Sequence, residues 1–199
     1  ASGGSTQYHG LYLSTDRGKS WQLIKQVQMQ GDVKGKLMID YDPTSYNAEA
    51  GQCQVVYWVY YGKTDAEDDG DAIYKTTDGG QSWSKISELG FKGFIQVQPG
   101  TGKVFYAGHE GLYSSPKGGS NFTQIESGHF TGLDIPYQSE EYVSACTRSK
   151  IYRSSDGGQS FSDYTPSGLN NPSMTNIRVS PVNTDNLMIS HQYKDAWWA

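Results

Sequence analysis

The chain has 199 residues, a formal net charge of −5, 24 glycines and 15 tyrosines. Its aromatic content of 13% argues against a disordered chain, and the absence of a basic stripe argues against a nucleic-acid partner. No apolar run reaches the roughly 18 residues of a membrane span, so we expect no membrane partner. Much glycine and tyrosine with little leucine or alanine predicts an all-β chain.

One segment recurs four times along the chain and predicts its architecture. Each copy places a tyrosine at its third position, and the tyrosines are separated by 62, 39 and 39 residues. The period is therefore 39, with about 23 residues inserted into the first interval. The copies span 10–21, 72–83, 111–122 and 150–161.

A second element lies between these copies and consists of two short strands, usually joined by a proline turn. Short apolar runs bounded by Gly, Pro, Asn and Asp predict strands. If the strands of one unit are labelled a to d, the predicted order is c–d, then a–b–c–d three times, then a–b. Four strands in a period near 40 are typical of a β-propeller blade. The a–b pairs span 37–43 with 54–60, 94–99 with 103–107, 133–136 with 141–146, and 177–181 with 187–190.

The recurring segment contains the pattern Ser/Thr-x-Asp-x-Gly-x-Ser/Thr-Trp/Phe, which resembles the Asp-box, also called the BNR repeat. Three copies are good, at 14–21, 76–83 and 154–161, while the copy at 114–122 is degenerate, with Pro116 in place of the aspartate. We expect Asp16, Asp78 and Asp156 to be structural, accepting backbone N–H groups within the c–d turn. The resemblance implies that these turns lie on the face away from an active site.

The predicted strand order makes residues 1–199 a single Asp-box propeller domain or a partial propeller, with three whole blades and two halves. Three arrangements stay open at this point. The halves could close a four-bladed ring, the chain could be a fragment of a larger propeller, or two chains could join into about eight blades.

The b–c and d–a loops share the face opposite the Asp-boxes, and this face collects most of the chemically active side chains. Tryptophan and tyrosine rings stack on sugars, and charged side chains bind sugar hydroxyls. The strand order therefore predicts a glycan-binding face there. The residues placed on it are His9, His109, Glu110, His129, Arg148, His191, Tyr193, Asp195, Trp197 and Trp198.

A second polar set lies on the predicted inner strands, where Asp40, Gln96, Asp134 and Arg178 occupy one equivalent position. Such a ring could bind a ligand. We favour a satisfied hydrogen-bond network between blades, because buried polar groups are normally paired.

The insertion between residues 60 and 71 is acidic. Asp65, Glu67 and Asp69 match the start of a calcium loop, but its twelfth position would be Thr76 rather than glutamate. We therefore expect a solvated acidic loop, with calcium as a weaker alternative and no other cofactor. The two cysteines, Cys53 and Cys146, allow either one disulfide or two free thiols.

Asp-box propellers include sialidases, xyloglucan-active glycoside hydrolases, polysaccharide lyases, sortilin-type receptors and a photosystem assembly factor. A sialidase is disfavoured because it needs three converging arginines, and two of the four arginines, Arg17 and Arg153, lie in or beside Asp-boxes. Residues 106–113 are similar to a loop of the xyloglucan-active hydrolases that carries an aspartate. The resemblance implies that Glu110 lies near the place of that carboxylate. Asp195 would be the second carboxylate of such a pair.

We therefore predict a secreted, carbohydrate-active propeller that acts on or binds a polysaccharide, with glycoside hydrolysis favoured. The predicted catalytic residues are Glu110, Asp195 and His109. His129, Arg148, His191, Tyr193, Trp197 and Trp198 are the predicted substrate-binding residues. The alternatives are a polysaccharide lyase, with a His or Tyr base and a cation facing a uronate, and a propeller that recognises a protein or glycan without chemistry.

Overall fold

The structure is a computed structural model and describes residues 9–27, 38–60, 71–169 and 173–191. These residues form antiparallel β-strands and a single turn of 3-10 helix, Pro43–Ser45, with no α-helix among them. The prediction of an all-β chain is confirmed. None of the helical structure in these ranges is long or apolar enough to cross a membrane.

The described strands form three complete four-stranded blades in chain order, which confirms the predicted β-propeller architecture. Blade I contains β3 (Met38–Tyr41), β6 (Val56–Tyr60), β7 (Ala72–Thr76) and β8 (Ser84–Ser87). Blade II contains β9 (Phe94–Val97), β10 (Val104–Ala107), β11 (Gly111–Ser115) and β12 (Thr123–Ser127). Blade III contains β13 (Phe130–Asp134), β14 (Val143–Thr147), β15 (Ile151–Ser154) and β16 (Ser162–Asp163).

A two-stranded half-blade flanks this group on each side. One pairs β1 (His9–Leu13) with β2 (Gln22–Val27), and the other pairs β17 (Met174–Val179) with β18 (Leu187–His191). In the described ranges these two half-blades are separate sheets that share no strand pairing. A small hairpin of β4 (Tyr46–Asn47) and β5 (Gln52–Cys53) accounts for part of the predicted insertion.

The hydrophobic core lies between successive blades. Tyr57 and Ile73 of blade I pack with Ile95 and Tyr106 of blade II, and similar clusters join the other neighbours. All five residues of β6 are buried, because neighbouring elements cover both faces of this strand. Burying one such large apolar side chain contributes about 1.5–3 kcal/mol, so these contacts fix the order of the blades.

The Asp-box turns are held by their own side chains. In the turn between β7 and β8, Asp78 accepts hydrogen bonds from the backbone N–H of Ser82 at 2.9 Å and from the Thr76 hydroxyl at 2.7 Å. Asp16 and Asp156 make equivalent contacts. Hydrogen bonds from the serine that follows four residues later are the largest cause of the lowered pKa of all three carboxyls.

The inner strands carry the network between blades that we expected. An acceptor on one inner strand bonds a backbone N–H of the next: the N–H of Val97 donates to Asp40 at 2.7 Å, and that of Ile135 donates to Gln96 at 2.6 Å. The N–H of Val179 donates to Asp134 at 2.7 Å in the same way.

The two cysteines are both free thiols. Cys146 is buried and Cys53 is half-buried. Of the two alternatives, the structure therefore shows unpaired thiols, and burial raises the pKa of each.

Candidate functional site

Loops from all three complete blades meet on the face opposite the Asp-box turns. Backbone hydrogen bonds tie them together: the N–H of His109 donates to the carbonyl of Phe91 at 3.4 Å, and that of Phe130 to the carbonyl of Gly108 at 2.9 Å. We call the side chains gathered here the loop face. They are Phe91, Lys92, His109, Glu110, His129 and Arg148.

Two histidines form the centre of the loop face. The His109 and His129 rings have centroids 4.7 Å apart, and the Phe91 ring meets His109 edge-on at 5.2 Å. Burial lowers the pKa of His129, and the charges of His109, Arg148 and Lys92 lower it further. A neutral imidazole is therefore favoured at neutral pH, which leaves a ring nitrogen able to accept a proton or a hydrogen bond.

Glu110 is exposed, but its carboxylate is held in place. The buried Tyr106 hydroxyl donates to Glu110 Oε2 at 3.0 Å, and burial is the largest cause of the raised pKa of Tyr106. The hydroxyl therefore stays protonated and keeps donating. A Cβ at Gly93 or Gly108 would overlap the Tyr106 ring or its hydroxyl, so these two glycines make room for the tyrosine that orients Glu110.

Arg148 and His191 lie towards the β17–β18 half-blade. The Arg148 carbonyl accepts the N–H of Met174 at 2.9 Å, and Met174 is the cross-strand neighbour of His191. Both side chains are exposed. His9 is the first residue of β1.

Several predicted site residues lie outside the described ranges: Tyr193, Asp195, Trp197, Trp198 and the three acidic residues of the calcium-like loop, Asp65, Glu67 and Asp69. Their places stay predictions. Within the described ranges, no three His, Cys, Asp or Glu side chains are grouped so that they could hold a metal ion.

Three residues of this region were not predicted from the sequence. The rule that d–a loops share this face could have identified Phe91 and Lys92. Lys92 also has a φ of 51°, which is uncommon for a residue other than glycine. Tyr106 had no such signal, because a strand tyrosine whose hydroxyl reaches a loop carboxylate looks like any core tyrosine.

A family model described as BNR/Asp-box repeat matches residues 12–23 and 74–85. The chain therefore contains BNR/Asp-box repeats, and its described strands form β-propeller blades. Curated protein sequences contain no significant match to it.

Solved structures of similar fold are longer chains. A Niastella koreensis GH74 enzyme superposes with a TM-score of 0.72 at 18% identity, covering 92% of this chain and 32% of that one. An ancestral GH74 enzyme gives 0.65 at 16% identity, covering 94% and 27%. YCF48 bound to D1 peptide gives 0.51 at 18% identity, covering 86% and 50%.

The Asp-box chain thus spans between about a quarter and a half of the length of these structures. At such identities the likeness establishes the propeller fold, and function has to be argued from the site itself.

Proposed function

We propose that the protein is a secreted, carbohydrate-active propeller that binds a polysaccharide across the loop face. The supporting observation is the convergence of His109, Glu110, His129 and Arg148 from separate loops of two blades. Imidazole, carboxylate and guanidinium groups together supply both donors and acceptors for sugar hydroxyls, and the Phe91 ring adds an apolar surface.

The charges of the loop face favour an acidic sugar. Lys92 and Arg148 are exposed cations, and Glu110 is the exposed carboxylate beside them. A uronate would place its carboxylate against the guanidinium, where planar, bidentate hydrogen bonding is available. A neutral polysaccharide would use the same hydroxyl contacts without this ion pair.

Glycoside hydrolysis is the first chemistry that we propose for this face. Glu110 would be one of two carboxylates, with Asp195 as its partner, one protonating the leaving oxygen and the other acting as base or nucleophile. The hydroxyl of Tyr106 fixes the direction of the Glu110 carboxylate, and His109 borders it in sequence.

A second chemistry, β-elimination from a uronate, has its own supporting observation. The lowered pKa of His129 makes its imidazole a neutral base, and Arg148 is close enough to contribute to that shift. In this reaction the base removes the proton next to the uronate carboxyl and the electrons of that C–H bond form a C=C double bond. The glycosidic oxygen leaves from the neighbouring carbon and takes up a proton.

The runner-up is recognition without chemistry, of a glycan or of a protein segment. YCF48 is a propeller of similar fold with a bound peptide, and an anionic peptide would suit the same cations. Binding without turnover would identify this function.

The test is affinity electrophoresis and calorimetry with neutral polysaccharides, a polyuronate and an acidic peptide. We expect Arg148→Ala to weaken polyuronate binding by about 10-fold, since a hydrogen bond to a charged group contributes about 1.5 kcal/mol. The matched control is Arg17→Gly, an exposed arginine on the Asp-box face where two other boxes carry Gly79 and Gly157. Equal effects of the two variants would contradict the proposed face.

Turnover assays then separate the chemistries. New reducing ends with saturated products indicate hydrolysis, and unsaturated products indicate elimination. Glu110→Gln should abolish hydrolysis while binding is retained, whereas His129→Ala should abolish elimination. A ligand that binds but is never cleaved would favour the recognition module.

A further inference from the structure

The asparagine at position 121 begins a short sequence motif. Asn121, Phe122 and Thr123 read Asn-x-Thr with a residue other than proline in the middle, which is the acceptor motif for N-linked glycans on surface loops of secreted proteins. The motif occurs once in the sequence, because Asn171, which also has a hydroxyl residue two positions later, is followed by Pro172. Three-residue motifs also arise by chance, so the place of this one in the fold has to support the assignment.

The motif lies at the end of the degenerate Asp-box turn of blade II. Strand pairing aligns this turn with the Asp-box turn of blade I without a gap. In that alignment Asn121 stands where blade I has Ser82, and Lys117 stands where it has Asp78. Lys117, the residue after Pro116, therefore replaces the aspartate of this box.

The regular boxes bind the side chain at the position of Asn121. The Ser82 hydroxyl donates to Asp78 Oδ2 at 2.5 Å. The Ser20 hydroxyl donates to Asp16 Oδ2 at 2.6 Å in the same way. Where the aspartate is present, the side chain at this position is therefore held within the turn by a charge-assisted hydrogen bond.

The side chain of Asn121 is released from this contact. Lys117 offers no carboxylate, and its stem lies beside Gly102, where an added Cβ would come within 2.9 Å of the Lys117 Cγ. The backbone N–H of Asn121 donates to the Ser115 hydroxyl at 3.2 Å, which holds the main chain of the turn. Asn121 is exposed, and its side-chain amide makes no hydrogen bond with another residue of the described ranges.

The three residues of the motif differ in burial in the order that an acceptor needs. Phe122 is half-buried and packs against the core cluster between blades I and II that contains Tyr57 and Ile73. Asn121 and Thr123 are exposed on either side of it. This is the burial pattern of a strand, in which alternate residues share one side, and Thr123 is the first residue of β12. The phenylalanine therefore anchors the motif, while the amide and the hydroxyl stay accessible to a transferase.

We propose that Asn121 is the acceptor of an N-linked glycan. This inference rests on the secreted location in the proposed function and on no other part of it. In the transfer, Asn121 Nδ2 forms a bond to C1 of the first sugar of an oligosaccharide carried on a lipid diphosphate. The bond between C1 and the diphosphate oxygen breaks, the diphosphate leaves with its electron pair, and the amide nitrogen releases one proton. Nothing is oxidised or reduced.

The place of the glycan has a consequence for both faces of the propeller. The c–d turns lie on the face opposite the loop face, so a glycan on Asn121 leaves the loop face open to a polysaccharide. An N-linked glycan is bulky and hydrated. It therefore covers the Asp-box turn of blade II and keeps a protein partner away from that part of the Asp-box face.

The test is expression of the full chain through a eukaryotic secretory pathway, followed by intact mass and peptide mapping. We expect a glycan on Asn121 that a peptide N-glycosidase removes, and none on Asn171. The same chain made in the cytoplasm should carry no glycan. Asn121→Gln should abolish the mass increase completely. A folded, secreted chain whose Asn121 peptide carries no glycan would overturn the proposal.

Two variants of the third position separate the motif from mere exposure. Thr123→Ser keeps a hydroxyl and should keep the glycan, whereas Thr123→Ala leaves Asn121 in place and should lose it. Urea unfolding of the cytoplasmic chains checks that both variants fold. Equal glycosylation of Thr123→Ala and the parent would contradict the assignment of this motif. Because the readout is mass, absence of polysaccharide binding would refute the proposed function without changing this result.

Discussion

Asp40 is predicted to make the stability of the blade I–blade II joint depend on pH. Burial raises the pKa of this carboxyl from 3.8 to about 6, although the N–H groups of Val97 and Tyr41 donate to it. Because the folded-state pKa lies above the usual value, the proton is bound more tightly in the folded chain. The stabilisation is therefore fully present below about pH 4 and is lost as the pH rises through about 6.

The magnitude follows from the same shift. A pKa raised from 3.8 to about 6 corresponds to about 3 kcal/mol of added ionisation cost in the folded chain. Partial contact of Asp40 with solvent reduces this to roughly 1–2 kcal/mol. Asp40→Asn keeps an acceptor for Val97, as Gln96 shows in the next blade, and it removes the charge.

The assay is urea unfolding at about pH 4 and about pH 7. As the pH rises from about 4 to about 7, we expect the free energy of unfolding of Asp40→Asn to increase by roughly 1–2 kcal/mol relative to that of the parent. Asp134→Asn is the control. It loses the 3.3 Å ion pair with Arg178, so its free energy of unfolding should not rise relative to that of the parent at about pH 7. A difference between Asp40→Asn and its parent that stays constant with pH would refute the reasoning.

Two further predictions concern a blade joint and the site. Gly158→Ala should lower the free energy of unfolding by about 2–4 kcal/mol, because φ is +74° and the new Cβ would meet the Phe105 ring. In the same chemical-denaturation assay, Gly51→Ala, at φ +66° in open space, should lower it by only about 1 kcal/mol. Tyr106→Phe should lower turnover of the bound polysaccharide while leaving its affinity nearly unchanged, because the variant no longer holds the Glu110 carboxylate. Unchanged turnover in steady-state kinetics would show that this hydroxyl has no part in orienting Glu110.

The strands and turns could be predicted because their signals are local. Tyr12, Tyr74, Tyr113 and Tyr152 mark strand c in every copy, and the structure has a strand at each. The Asp-box turn is likewise encoded within a few residues, since each aspartate bonds the residue four positions later. The degenerate copy with Pro116 still forms its hairpin, because pairing with β10 supports β11.

The loop face could be predicted in part. The rule that b–c and d–a loops share one face brings together the loops of His109 and His129, but no spacing in the sequence implies rings 4.7 Å apart. The contact between Tyr106 and Glu110 was hidden for a similar reason. Whether a strand tyrosine ends in the core or beneath a carboxylate depends on Gly93 and Gly108, which lie in different loops.

The sequence by itself determined the strand order, the four-stranded blades and the Asp-box turns, because periodicity and turn chemistry act over a few neighbouring residues. Only the tertiary structure decided which side chains meet across blades: the histidine pair and the acceptors of the inner strands. These depend on contacts between residues far apart in the chain, such as Asp40 with Val97, 57 positions away, and Gln96 with Ile135, 39 positions away. Such contacts form because each blade buries its apolar faces only against its neighbours.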